Sequence, residues 1–210
     1  MEIVLPRLYP IVDEGVLRQR GLGFERFTVE LRAAGVQLLQ YRNKAGGPQE
    51  VIRNAALIGE VMARSGCRLI MNDRADLAIL AKWDGVHVGQ EDLLPVDARW
   101  VVGGQRWVGV STHTEAEVWA ADESCADYVA VGPVFATGTK VDAEPVIGLD
   151  GVRRARALTK KPIVAIGGIS RANALSVIDA KADSIAVISG LMVDGETVGK
   201  VARDFLELLR

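Results

Sequence analysis

The sequence predicts a closed (β/α)8 barrel, and three observations carry that expectation. Short, β-branched apolar segments alternate with segments whose apolar residues recur at helical spacing, eight of each. Strict alternation implies a parallel sheet, because parallel strands need a crossover between them. No linker, low-complexity stretch or second core interrupts the series, so one domain over residues 1–210 is expected. An open doubly wound sheet would usually carry a glycine-rich phosphate loop after its first strand. Here the first strand runs into Asp13-Glu14-Gly15, and eight units in 210 residues suit a barrel.

Taken in order, residues 8–12 form the first strand, weakened by Pro10. A helix over 24–34 stops at Gly35, and 36–41 is the second strand. The helix over 48–65 has Pro48 in its first turn and Gly66 after its end, the usual asymmetry. Residues 68–72 and 84–88 are the third and fourth strands, with a helix over 75–82 between them and another over 96–102 after them. The fifth strand is 107–111. The helix over 114–124 has Thr114 as N-cap and Glu117 three residues on, a capping-box pattern. The sixth strand (128–131) leads into an irregular segment, 132–148, and a helix over 149–159. The seventh strand (163–166), a helix over 171–180 capped by Ser170, the eighth strand (184–188) and a helix over 196–209 complete the chain.

Composition narrows the function classes. Hydrophobic residues make up 49% and charged residues 25%, ordinary for a globular domain. A net charge of −2 does not suggest a nucleic-acid surface. The two cysteines, Cys67 and Cys125, lack metal-type spacing and read as reduced, buried thiols of a cytoplasmic protein. No signal peptide is expected, and no apolar run approaches about 20 residues, so no membrane partner is expected. Trp83, Trp100, Trp107 and Trp119 read as packing between helices and barrel.

In a barrel, function sits on the loops that follow the strands. The stretch 72–92 spans one strand–helix–strand unit and places Asp73 and Asp92 just after its two strands. If those strands are neighbours, about 4.8 Å apart, both carboxylates reach one point on the rim. Two carboxylates with room for water are the usual protein share of a Mg2+ site that also binds substrate phosphates. The local alternative is that Asp73 caps a helix and Asp92 sits in a turn. After the second strand, alternation puts Gln40, Arg42 and Lys44 on one face, cationic at the mouth, which suits a phosphate-rich ligand. A solvated Arg and Lys at a loop start is the alternative. Asn72 could orient a ligand or cap a helix, and Ser111 could contact a ligand at the mouth. His87 reads as a packed core histidine, and His113 as a loop residue or cap. The segment 132–148 reads as a lid, with Thr137, Thr139 and Lys140 offering two hydroxyls and a cation. Gly167 and Gly168, opening a helix, together with Ser189 and Gly190, fall in the two loops where many such barrels hold a phosphate.

These segments together resemble the thiamine-phosphate synthase family. The resemblance rests on Y-P-I-V-D (9–13), Q-Y-R-N-K (40–44), N-D-R (72–74), D-G-V-H-V-G-Q-E-D-L (84–93) and G-V-S-T-H-T (109–114). It continues through A-D-Y-V-A-V-G-P-V-F-A-T-G-T-K (126–140), P-I-V-A-I-G-G-I (162–169) and I-S-G (188–190). Such a resemblance implies a transferase that joins a pyrimidine methyl diphosphate to hydroxyethylthiazole phosphate, giving thiamine phosphate and pyrophosphate. It implies that Gln40, Tyr41, Arg42, Asn43, Lys44, Asn72 and Lys140 hold the pyrimidine diphosphate and that Ser111 contacts the same substrate. Thr137, Gly138 and Thr139 would line the thiazole side, with Gly168, Ile188 and Ser189 receiving its phosphate. Asp73 and Asp92 would bind Mg2+, and Arg42, Lys44 and Lys140 would act catalytically on the leaving group. The two small-molecule substrates are the expected partners, and a homo-oligomer is left open. The competing readings are a thiazole tautomerase of the same barrel, leaning on His113, and a non-catalytic thiamine-phosphate-binding protein.

Overall fold

The structure is a computed structural model and describes residues 3–138 and 145–210. Eight parallel strands close on themselves in chain order. They are β1 (Leu8–Asp13), β2 (Leu38–Arg42), β3 (Arg68–Asn72), β4 (Gly85–Val88), β5 (Trp107–Thr112), β6 (Tyr128–Val131), β7 (Ile163–Ile166) and β8 (Ser184–Val187). The helices are α1 (Glu14–Gln19), α2 (Phe24–Ala34), α3 (Pro48–Met62), α4 (Ala75–Leu80), α5 (Pro95–Val102), α6 (Glu115–Glu123), α7 (Gly148–Leu158), α8 (Ala174–Asp179) and α9 (Val198–Leu208). Among the described residues, no helix is long and apolar enough to cross a membrane.

Strand side chains alternate, so a closed sheet sorts them into two cores. Val12, Leu39, Tyr41, Met71, Val86, Val108, Val129 and Ile185 face outward and pack with the helices in one cluster. Tyr9, Ile11, Leu38, Ile70, Trp107, Tyr128, Ala130, Val164 and Ala186 face inward and fill the barrel, with Ile3 and Leu5 packed against them. Both faces are buried, which is why these strands read as nearly continuous apolar runs. Pro10 is tolerated because the β1–β2 register begins one residue later, at Ile11 opposite Gln40.

A repeated device fixes the bottom rim. Asp84, Asp127 and Asp183 precede β4, β6 and β8, and each carboxylate accepts a backbone N–H of the preceding strand. The acceptors reach Leu69, Val108 and Ile163 at 2.8, 2.7 and 2.8 Å. Each aspartate is also paired with an arginine: Arg68, Arg99 and Arg156 respectively.

Several expectations need correction. The Asp13 carboxylate caps an additional helix, α1, by accepting from the Val16 N–H at 3.1 Å. α3 ends at Met62 rather than at 65. α8 begins only at Ala174, and Ser170 does not cap it; its N–H instead donates to Asn173 Oδ1 at 2.8 Å. Trp100 and Trp119 are exposed, at 87% and 60%, and only Trp83 and Trp107 are buried. Cys125 is exposed, and only Cys67 is partly covered, its thiol pushed up to about 12 by burial.

Close packing inside the barrel leaves no room at Gly109. A Cβ there would lie 2.1 Å from the ring of Tyr128, which is itself fully buried. Gly109→Ala is therefore expected to destabilise the protein by about 1–3 kcal/mol through overpacking. Thermal denaturation should show this as a fall of roughly 2–4 °C in Tm per kcal/mol; an unchanged Tm would contradict the packing.

Candidate active site

The C-terminal ends of the strands meet at one rim, which surrounds a cavity of about 410 Å³, a size suited to small-molecule ligands. Lys44, Asp92, Ser111, Thr137, Gly168, Ile188 and Ser189 all line it. Arg42, Asn72 and Asp73 lie at the ends of β2 and β3 or one residue beyond, on the side of Lys44, and Gln40 is buried two residues before the end of β2.

The acidic pair is assembled by backbone geometry. Asp73 adopts a left-handed φ of 60°, a region that Asp enters more readily than most residues. Its N–H donates to the His87 carbonyl at 2.7 Å, so the β3–β4 ladder runs one residue past Asn72 opposite His87. Asp73 therefore does not cap α4, whose N-cap is Arg74. Asp92 is held in a turn, where its Oδ2 accepts from the Gly89 N–H at 2.8 Å. Lys44 Nζ lies 2.6 Å from Asp73 Oδ2 and 4.0 Å from Asp92 Oδ1, so one ammonium serves both carboxylates. Burial pushes the Asp73 carboxyl above its ordinary value; Lys44 opposes this, and neighbouring Asp92 adds to it. Two crowded, partly buried oxygen donors carrying more negative charge than one lysine neutralises suit a hard divalent cation. Among the described residues no group of three or more His, Cys, Asp or Glu forms a fuller cage.

Strand alternation divides the Q-Y-R-N-K segment. Gln40 and Arg42 point inward: Gln40 is buried, and Arg42 Nη1 donates to Asp13 Oδ2 at 2.5 Å across the β1–β2 register. Tyr41 and Asn43, whose side chains alternate with these, turn away from the rim. The Tyr41 hydroxyl donates to Glu14 Oε2 at 2.5 Å, and Asn43 Nδ2 donates to the same atom at 2.8 Å, on the helix side of the barrel. Burial alone would raise the Glu14 pKa, but bonds from Tyr41, Arg18 and Asn54 together hold it below the usual range. The segment is thus anchored on its outer face and presents its inner face to the rim.

On the opposite side, His87 Nε2 and Ser111 Oγ are 2.9 Å apart. His113 lines the cavity and donates Nδ1–H to the Gly132 carbonyl at 2.7 Å. Its own N–H donates to Glu117 Oε2 at 2.7 Å, so the capping box closes one residue before Thr114. After β6 the chain stays paired with β7: Val134 and Phe135 donate to the carbonyls of Ile166 and Gly167 at 2.8 and 3.0 Å. Gly168 has a φ of 64°, and a Cβ on it would lie 2.6 Å from the Ala136 carbonyl oxygen. Only glycine permits this approach of the two loops. Ser189 and Gly190 open a short 3-10 turn at the edge of the cavity. Gly138 is exposed. Thr139 and Lys140, with most of the expected lid, lie outside the described residues.

Sequence reasoning missed Asp13 and Gln90. Asp13 ends β1 directly opposite Arg42 in register, and an acid at a strand's C-terminal end was the available signal. Gln90 donates to the Ser111 carbonyl at 2.6 Å, tying the β4 loop to β5; no local pattern marks it.

The Asp73 shift has a stability consequence. A carboxyl with a raised folded-state pKa binds its proton more tightly folded than unfolded, so stability falls as pH rises above the ordinary value of 3.8. At neutral pH the ionised group is therefore a liability to the fold. Asp73→Asn should raise Tm at pH 7 in Mg2+-free buffer, and the gain should vanish by about pH 3, where the parent side chain is also neutral. A lower Tm at pH 7 would mean that the Lys44 pair outweighs burial.

Comparison with known proteins places these features in context. The family model described as thiamine monophosphate synthase matches residues 8–191. The thiamine-phosphate synthase of Koribacter versatilis is 49% identical over 207 residues, covering 98% of this chain and 96% of that protein. The enzyme of that name from Chloroflexus aurantiacus is 42% identical over 204 residues, covering 97% and 92%. Among solved structures, thiamine phosphate pyrophosphorylase from Pyrococcus furiosus superposes with a TM-score of 0.86 at 30% identity, covering 97% of this chain and 95% of that one.

Proposed function

The chain belongs to the thiamine monophosphate synthase family, and from that premise we propose how its rim carries out the reaction. The activity is that of a thiamine-phosphate synthase, a transferase. It joins a pyrimidine methyl diphosphate to hydroxyethylthiazole phosphate and releases pyrophosphate. The observation that carries our assignment of residues is the meeting of Lys44, Asp73 and Asp92 at the edge of the rim cavity.

Asp73 and Asp92 hold Mg2+, which supplies charge neutralisation for the diphosphate when bound. Lys44, already within 2.6 Å of Asp73, adds its ammonium to the same place. Arg42 keeps one guanidinium nitrogen on Asp13; a guanidinium has five N–H donors, so others remain for diphosphate oxygens. Lys140, outside the described residues, completes the cationic set as the family pattern implies. Breaking the C–O bond leaves a pyrimidine-stabilised cation and a highly charged leaving group, so positioned positive charge is the largest contribution expected. The thiazole nitrogen attacks with a lone pair it already has, and no general base is required. Ser111 and Asn72 orient the pyrimidine substrate. Thr137, Gly138 and Thr139 border the thiazole, with its phosphate at Gly168, Ile188 and Ser189. Bringing both substrates into one mouth supplies the rest through orientation.

The deciding experiment mixes purified protein with both phosphorylated precursors, with and without Mg2+, and assays thiamine phosphate. Turnover is expected only with the metal; proton exchange from a thiazole phosphate without metal would instead favour a tautomerase. Asp73→Ala and Asp92→Ala should each abolish Mg2+-dependent turnover while circular dichroism stays native. Lys140→Ala should lower kcat by at least about tenfold, about 1.4 kcal/mol of transition-state stabilisation. An effect on KM alone would remove Lys140 from the leaving-group role.

A further inference from the structure

The barrel interior is not wholly apolar. A single file of hydrogen bonds crosses it from β2 to β5. Gln40 Nε2 donates to the Tyr9 hydroxyl at 3.1 Å, and Tyr9 meets Tyr128, hydroxyl to hydroxyl, at 3.0 Å. The Tyr128 hydroxyl lies 3.1 Å from His87 Nδ1, and His87 Nε2 lies 2.9 Å from Ser111 Oγ. Ring packing holds the members in place: His87 stacks on Tyr128 at 5.5 Å, and Tyr9 meets Tyr128 edge-on at 6.2 Å. Burial pushes both phenols well above the ordinary tyrosine value, so each keeps its one proton.

Counting protons gives the file a direction. The Tyr9 oxygen accepts from the Gln40 amide, so its single proton goes to Tyr128. The Tyr128 oxygen accepts that bond, so its proton goes to His87 Nδ1. A neutral imidazole accepting at Nδ1 carries its proton on Nε2, and that proton points to Ser111 Oγ. The Ser111 oxygen is then an acceptor within the barrel, and its own proton is directed outward to the cavity that Ser111 lines. Reversing one bond alone would leave a buried hydroxyl proton with no acceptor in the file, a cost avoided only if the bonds between it and Gln40 reverse as well. A chain of this kind is also cooperative, each bond polarising the next.

We propose that this file fixes His87 as the Nε2–H tautomer and thereby makes Ser111 a hydrogen-bond donor to the substrate, with the direction set across the barrel at Gln40. His87 is then a positioning residue, acting through Ser111 rather than on the reacting atoms. Tyr9 and Tyr128 transmit an orientation and take part in no proton transfer. The ligand atom served by Ser111 is an acceptor: a diphosphate oxygen or a ring nitrogen of the pyrimidine substrate. This last clause rests on the assignment of Ser111 to the substrate site; the tautomer does not.

The test reads the two parts separately. The chain has two histidines, and ring 15N shifts distinguish the two neutral tautomers from the cation. In the unliganded enzyme His87 is expected as Nε2–H and His113, which donates Nδ1–H to Gly132, as the opposite tautomer; His113→Asn assigns the signals. A cationic His87, or one protonated on Nδ1 alone, would overturn the proposal. Gln40→Met keeps the volume close and leaves every other member in place. It should move the His87 shifts toward a mixture of tautomers, and unmoved shifts would remove Gln40 as the source of direction. For function, Tyr128→Phe should lower kcat about tenfold in the parent and less than about twofold in a Ser111→Ala background, the non-additivity of residues in one network. Equal losses in both backgrounds would show that the file does not act through Ser111. A Ser111→Ala enzyme with the parent's rate would instead overturn the site assignment, and the tautomer would stand or fall on its own spectrum.

Discussion

Parity governs this molecule. A closed parallel sheet offers each strand residue only two destinations, the barrel interior or the layer beneath the helices, and a neighbour in sequence must take the other. Gln40 and Arg42 therefore share the inner face with Leu38, Gln40 buried and Arg42 at the strand's end, while Tyr41 and Asn43 are committed to the helix side and to Glu14. The same rule puts Tyr9, Tyr128, His87 and Ser111 into one interior column, close enough to bond in file. Closure adds the second half of the constraint: every strand's C-terminal end opens on a single mouth, whatever the distance along the chain.

The mouth is electrostatically unbalanced by construction. Asp73 and Asp92 crowd one lysine, and burial works against Asp73 being ionised. A fold selected for stability alone would not keep this arrangement, because unpaired carboxylate charge away from water is unfavourable. On the function proposed above, the same imbalance would serve a site that takes a cation and a diphosphate together. The outward-facing half of the Q-Y-R-N-K segment works differently. Glu14 gathers Tyr41, Asn43 and Asn54 into a satisfied network that fixes where Arg42 and Lys44 begin.

Much of this was legible in the sequence. Strands β3, β6 and β7 fall on the residues that periodicity gave them, and the convergence of Asp73 with Asp92 follows from one strand–helix–strand unit. Termini of helices were less legible. The run after β7 carries Ser170 and a helical pattern, yet Ser170 and Asn173 bond each other in a turn that delays α8. Trp100 and Trp119 were misplaced because an aromatic's burial depends on which way its helix is rotated, and short helices carry a weak periodic signal. The Arg42–Asp13 pair and the interior file of hydrogen bonds depend on inter-strand register, and register is a property of the closed sheet rather than of any local window.

The three aspartates under the barrel have a consequence for how such molecules can change. Asp84, Asp127 and Asp183 fasten the strands two by two from below, each taking an N–H of the preceding strand and an arginine. Alignment of the staves is thus secured at the end remote from chemistry. Loops at the other end can be rewritten, lengthened or exchanged for those of a different enzyme without loosening the frame that presents them.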